Sequence, residues 1–134
     1  MLAEVSRSVV GLHKELYGKG PTRARSYIVG DVLLCLLAGG FTRAETTLLT
    51  AGKGALVRRQ REELQGIARS RFTSAIEAVT GRAVVGWLSS IDERAQLSAE
   101  VFVLEPRQVE VGLDHDGLGQ LGDVARSRDG RPPS

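Results

Sequence analysis

Residues 32–38 read VLLCLLA, apolar at every position. The run is too short to cross a bilayer as a helix, which needs about 20 apolar residues. It follows RSYIV (25–29) and the pair Gly30-Asp31, a two-residue turn in which glycine suits a positive φ. The spacing predicts a hairpin with VLLCLLAG (32–39) as its second strand. Alternate side chains of a strand point to opposite faces, so Val32, Leu34, Leu36 and Ala38 share one face, and Leu33, Cys35 and Leu37 share the other. A sheet with helices on one side requires only one apolar face. The second face is therefore expected to be covered or to form a partner interface, with Leu34, Leu36 and Ala38 as its candidate residues.

Helical spacing surrounds the hairpin. Leu2, Val5, Val9, Leu12 and Leu16 lie on one face of a helix, which Gly18 stops. In GKGPTRAR (18–25), Pro21 cannot continue a helix and biases Gly20 towards extended geometry. In FTRAE, Thr42 is the N-cap and Glu45 its capping-box partner three residues on, with Phe41 placed as a hydrophobic staple. A short helix over 43–50 ends near Gly52 and Gly54. A long one then runs from about Ala55 to Thr80, with Gly81 as its stop. Its buried stripe is read as Val57, Leu64, Ile67, Ala68, Phe72, Ala75, Ile76 and Val79, leaving Arg58, Arg59, Arg61, Glu62, Glu63, Arg69, Arg71 and Glu77 on other faces. AVVGWLSS (83–90) and SAEVFVLE (98–105) read as strands joined by the polar IDER.

The order α-β-β-α-α-β-β predicts an α+β domain over residues 1–105. It would be a four-stranded, largely antiparallel sheet with the N-terminal helix, the short capped helix and the long helix, the long helix packed on one face. Residues 106–134, rich in Gly, Asp, Arg and Pro, are expected to form a mostly disordered tail, with VEVGL as a short extended segment.

Few residues point to chemistry. The formal charge of +2 is too small to argue for nucleic acid, and the basic residues lack the interleaved aromatics of a single-strand stacking surface. Both GKG turns fail the phosphate-loop pattern at two positions. Lys19, Arg23, Arg25, Lys53 and Arg59 are candidate anion ligands if the two turns meet; otherwise they are solvated charge at element ends. Nothing places His13 or His115 near a carboxylate and a nucleophile. Asp114-His115-Asp116 fails the calcium-loop pattern because the fifth position is Leu118. The single cysteine, Cys35, excludes an internal disulfide and reads as packing. Trp87 is either core or an anchor on an exposed sheet face, and it joins the candidate interface residues on the second reading. No metal site, cofactor or catalytic group is expected. The start lacks a basic stretch followed by an apolar one, so a cytoplasmic protein without membrane insertion is expected.

In their order and spacing, GKGPTRARSYIVGD (18–31), the capped GGFTRAE (39–45), the helix RRQREEL…AIEAVTG (58–81) and the closing EVFVLE (100–105) resemble the MpsC-type family, over about Val5 to Glu105. Members show a Gly-x-Gly-Pro turn before a Tyr-Ile strand, then Leu-Thr-x-x-Glu, a long charged helix ending in Thr-Gly, and a Val-Phe-Val-Leu strand. Gly18, Gly20, Pro21, Tyr27, Thr42, Glu45 and Gly81 hold such positions here. The family takes its name from a component of a sodium-translocating system that generates membrane potential. The resemblance implies a soluble partner of membrane ion-transport or inorganic-carbon uptake machinery and brings no catalytic residues. The chain departs from the pattern in two places. Leu36 and Ala38 stand where relatives tend to carry charge, and Leu88, Ser89 and Ser90 replace a His-Ser-Asp-type segment.

Together these features lead to the expectation of a non-enzymatic accessory protein that docks on a membrane transport protein, peripheral to the inner face of the membrane. The extra apolar surface favours a protein partner or a homodimer. A small module binding an anion or nucleotide through its basic turns is the competing expectation.

Overall fold

The computed structural model describes residues 1–107. Its elements are α1 (Leu2–Tyr17), β1 (Arg23–Val29), β2 (Val32–Ala38), α2 (Arg43–Thr50), α3 (Gly54–Thr80), β3 (Val84–Asp92) and β4 (Leu97–Leu104). The strands form one antiparallel sheet in the order β1-β2-β4-β3. The expected architecture is thus observed, and the doubly apolar β2 occupies a central position. The expectations for His115, Asp114, Asp116, VEVGL and most of the tail lie outside the described residues.

Helices α1 and α3 pack together on one side of the sheet, α1 over β1 and β2, α3 over β3. Val5 and Val9 are fully buried, and His13 takes the next turn of the same α1 stripe. Gly18 ends the helix at φ 84, a left-handed conformation that an L side chain resists, and its N–H donates to the Lys14 carbonyl at 2.9 Å. The core joins Val5 and Val9 to Leu33, Cys35, Leu37, Phe72, Ile76, Phe102 and Leu104. Full burial of each large aliphatic or aromatic side chain here contributes about 1.5–3 kcal/mol.

The hairpin closes at Val29 opposite Val32. β1 begins two residues before the sequence pattern indicates, because its inward residue Ser26 is polar and breaks the apolar alternation. The turn before β1 packs on Gly39-Gly40: a Cβ at Gly40, which sits at φ 83, would lie 3.0 Å from the Pro21 nitrogen. This contact brings the two glycine motifs of the sequence together. The Thr42–Glu45 capping box forms, with Glu45 N–H donating to Thr42 Oγ1 at 3.1 Å and Thr42 N–H to Glu45 Oε1 at 2.9 Å. Phe41, just before the cap, is buried, and the Arg61 guanidinium lies 4.5 Å from its ring centre.

Two positions on α3 overturn the sequence reading. Ile67 is 81% exposed, and Arg61 is buried at 3%. The buried arc runs through Val57, Arg61, Ala68, Phe72 and Ile76, and at 100° per residue Ile67 falls outside it while Arg61 falls inside. β3 extends through Ile91 and Asp92 of the IDER segment. The turn that follows is tied by Asp92 Oδ1, which accepts from the Arg94 and Ala95 amides at 3.0 and 3.1 Å. Arg82, just past α3, donates to Asp31 in the hairpin turn and to the Glu105 carbonyl, clamping the far end of the sheet.

Candidate functional site

Two features of this framework could serve function: the sheet face turned away from the helices, and a buried polar chain between the helices and the sheet.

The strand registers define the open face as four rows. Arg23, Ala38, Leu97 and Asp92 form the first; Arg25, Leu36, Ala99 and Ser90 the second. Tyr27, Leu34, Val101 and Leu88 form the third; Val29, Val32, Val103 and Gly86 the fourth. Charge is confined to one end of the two edge strands, and apart from Ser90 and the Tyr27 hydroxyl the rest is apolar. Tyr27, Val29, Leu36 and Leu88 are exposed, Leu88 to 65%. The polarity of β4 is inverted relative to the usual half-buried strand. Its outward residues Leu97, Ala99, Val101 and Val103 are all apolar, whereas its inward residues include Ser98 and Glu100, buried at 2% and 1%. Four strands about 4.8 Å apart and about seven residues long cover on the order of 400 Å² in projection.

Of the candidate interface residues, Leu34, Leu36 and Ala38 lie on this open face. Trp87 does not. It pairs with the inward Phe102, and its ring stacks on Phe72 at 4.8 Å and on Phe102 at 5.8 Å between centroids. A register shift between Val84 and Gly86 sets the phase of β3, so Trp87, Ser89 and Ile91 face the helices and Leu88 faces out.

The buried polar chain starts at Glu100. Its carboxylate accepts from His13 Nε2 at 3.1 Å, Ser89 Oγ at 2.8 Å and Trp87 Nε1 at 2.7 Å. His13 therefore lies against a carboxylate contributed 87 residues away, which its sequence neighbours do not reveal. Gln65 Nε2 donates to Ser89 Oγ at 2.9 Å and to the Tyr17 hydroxyl at 2.8 Å. The Arg61 guanidinium lies 4.1 Å from the Tyr17 ring centre and 4.5 Å from that of Phe41. It donates to both oxygens of Glu45, at 2.6 and 2.8 Å, and to the Gly40 carbonyl at 3.2 Å.

Every buried side-chain nitrogen and oxygen among the described residues has a partner. Burial alone would push Glu45 up, but the hydrogen bonds from Arg61 and from Thr42 outweigh it and hold the carboxyl below its ordinary value. Burial pushes the Tyr17 phenol up to about 12 and the Cys35 thiol up to about 11, so both stay neutral at physiological pH. The chain of contacts fixes α1, α2 and α3 on the sheet. A shallow cleft between α3 and β3, lined by Glu62, Gln65, Gly66, Arg69, Trp87 and Ser89, reaches its edge.

The candidate anion ligands are spread over both sides of the fold. Arg23 and Arg25 lie on the open face of β1. Lys53 and Arg59 belong to the start of α3, in the helix layer. Lys19 lines a surface hollow with Arg43, Thr46, Thr47 and Thr50 of α2.

A family profile described as Na+-translocating membrane potential-generating system (MpsC) matches residues 1–106. The chain belongs to the MpsC family. No curated protein and no solved structure matches it. The matched region ends just past β4, so it takes in the whole described fold. The residues that carry the sequence resemblance do structural work in it. Gly18 and Gly81 cap α1 and α3, Thr42 and Glu45 cap α2, and Glu45 also receives Arg61. Gly20 and Pro21 form the turn that meets Gly40. Tyr27 alone among them presents a large side chain on the open face, 43% exposed.

Proposed function

We propose that this chain is a non-enzymatic accessory component of a sodium-translocating, membrane potential-generating system, and that it works by protein docking at the cytoplasmic side of the membrane. The system comes from the description of the MpsC family. The docking is supported by one observation, the apolar sheet face left open on the side away from the helices. Patches of about 300–600 Å² are the largest a typical monomer exposes and are often functional. The inverted polarity of β4 adds weight: apolar side chains are spent outward where inward positions hold serine and glutamate. No helix among the described residues is long and apolar enough to cross a membrane.

Affinity purification of the tagged full chain from detergent-solubilised membranes of its own host tests this function. An integral membrane component of a sodium-dependent system should be retained, identified by mass spectrometry, and it should be lost with Leu34→Asp. Loss of the chain should also lower the sodium-dependent part of the membrane potential. Recovery of the chain without any membrane component, together with an unchanged potential, would overturn the proposal.

A further inference from the structure

We propose that a second copy of this chain closes the open sheet face, in a face-to-face sandwich whose two-fold axis runs parallel to the strands. This rests on the reading that the face is a protein contact, and it names the first protein to occupy it.

For sheets packed in the aligned manner, two kinds of two-fold axis in the plane of contact bring identical faces together. An axis across the strands keeps each strand over its own copy and reverses the rows. Arg23 would then lie over the second copy's Val29, and Asp92 over its Gly86, which leaves both corner charges facing apolar groups with no opposite charge across the contact. Such a charge loses hydration and gains no partner.

An axis along the strands does the opposite. It keeps every row over itself and reverses the strand order, so β1 covers β3 and β2 covers β4 of the other copy. Arg23 then lies over the second copy's Asp92, and symmetry makes that pair twice. Arg25 lies over Ser90, at the same polar corner.

Side-chain size follows the same operation. The row registers place Leu36 over the second copy's Ala99 and Leu97 over its Ala38. In the fourth row Val29 lies over Gly86, the residue at the β3 irregularity. Large groups thus meet small ones in these three pairs, while in the third row Tyr27 lies over Leu88 and Leu34 over Val101, at a sheet separation of about 10 Å. Packed sheets are rotated by about 30°, which displaces the corners most. The corners are where the long arginine side chains stand, and their reach absorbs the offset. Charge selects this axis, and the size pairs of the first, second and fourth rows are compatible with it.

Sedimentation velocity on the full chain tests the sandwich, with circular dichroism to confirm folding of each variant. The wild type should be a dimer at micromolar concentration. Leu34→Asp should make it monomeric. Arg23→Glu should raise the dimer dissociation constant about tenfold, since it breaks two exposed pairs at once. Arg23→Glu combined with Asp92→Arg should restore it. Asp92 also ties the β3–β4 turn, so Asp92→Arg alone is run as the control, and the exchange reads the arrangement as a rescue relative to both single variants even if Leu34→Asp fails to fold. A chain that stays monomeric at 100-fold higher concentration, a dimer indifferent to both substitutions, or an exchange that fails to rescue would each overturn the proposal. A monomer that still retains its membrane component through this face would remove the sandwich and leave the docking function standing. A rescued dimer that retains no membrane component would do the reverse.

Discussion

Arg61 and Glu45 form a buried two-point ion pair, with Nε 2.6 Å from Oε2 and a terminal nitrogen 2.8 Å from Oε1. Both residues are nearly inaccessible to solvent, and the guanidinium is flanked by the rings of Tyr17 and Phe41. The pair joins α2 to α3, and through the Tyr17 contact it reaches α1. Removing one member leaves the other charge buried and unpaired, which is far costlier than the net worth of the pair. Arg61→Met is expected to lower unfolding free energy by about 3–5 kcal/mol in urea titration. Arg61→Met with Glu45→Gln should recover much of that loss, because glutamine keeps the capping box and removes the charge. A double variant no more stable than Arg61→Met would show that lost packing, rather than the orphaned charge, dominates.

The same pair sets a pH dependence. The folded carboxyl of Glu45 is held below its ordinary value of 4.5, so it binds a proton less readily folded than unfolded. Its contribution is complete above about 4.5 and is lost as pH falls through the lower folded value. The urea midpoint should therefore drop on acidification below about pH 4.5, and Glu45→Gln should flatten the drop. Equal acid sensitivity in wild type and Glu45→Gln would assign it to other carboxylates.

Cys35 gives a prediction of the opposite sign. Burial pushes its thiol up to about 11, and Ser26 Oγ lies 3.4 Å from the sulfur. At pH 8 the thiolate is about one part in a thousand, and the sulfur is inaccessible. Alkylation by iodoacetamide should be slow in the native protein and should accelerate to the rate of a free peptide thiol in urea. Rapid native labelling would mean that β1 opens locally from β2.

What the sequence revealed was where apolar periodicity and backbone signals agree. Leu2, Val5 and Val9 marked α1; Thr42 and Glu45 marked the start of α2; VLLCLLAG marked the second strand of the hairpin. The polar chain was hidden for a physical reason. Arg61 lies among arginines and glutamates, and a charge in such a run reads as solvated unless a partner is known. That partner, Glu45, was already accounted for as a cap. His13 and Glu100 are likewise legible only once α1 is laid on the sheet and His13 reaches across to β4. For β4 the more apolar parity, Ala99, Val101 and Val103, is the open one, so simple alternation points the wrong way. The sequence leaves Trp87 between core and exposed anchor because its parity depends on Gly86, where the register shifts by a residue.

Glu100 offers the sharpest test of the buried chain, because three donors converge on its two oxygens. Glu100→Leu leaves His13 Nε2, Ser89 Oγ and Trp87 Nε1 without that acceptor, His13 in the core and the other two at the edge of the cleft between α3 and β3. Each stranded donor costs about 1–3 kcal/mol, enough in sum to bring a small domain close to unfolding. Glu100→Gln is different. Its carbonyl can accept from Trp87 while its amide donates towards Ser89 and His13, provided that the hydroxyl rotates and the imidazole moves its proton to Nδ1. Glu100→Gln should therefore unfold at a urea concentration much closer to wild type than Glu100→Leu does. The 15N shifts of the His13 ring should report the change of tautomer, and the emission of the single tryptophan should stay native. If Glu100→Leu matched wild type in stability, the carboxylate would be a passenger in the core rather than the group that seats α1 on the sheet.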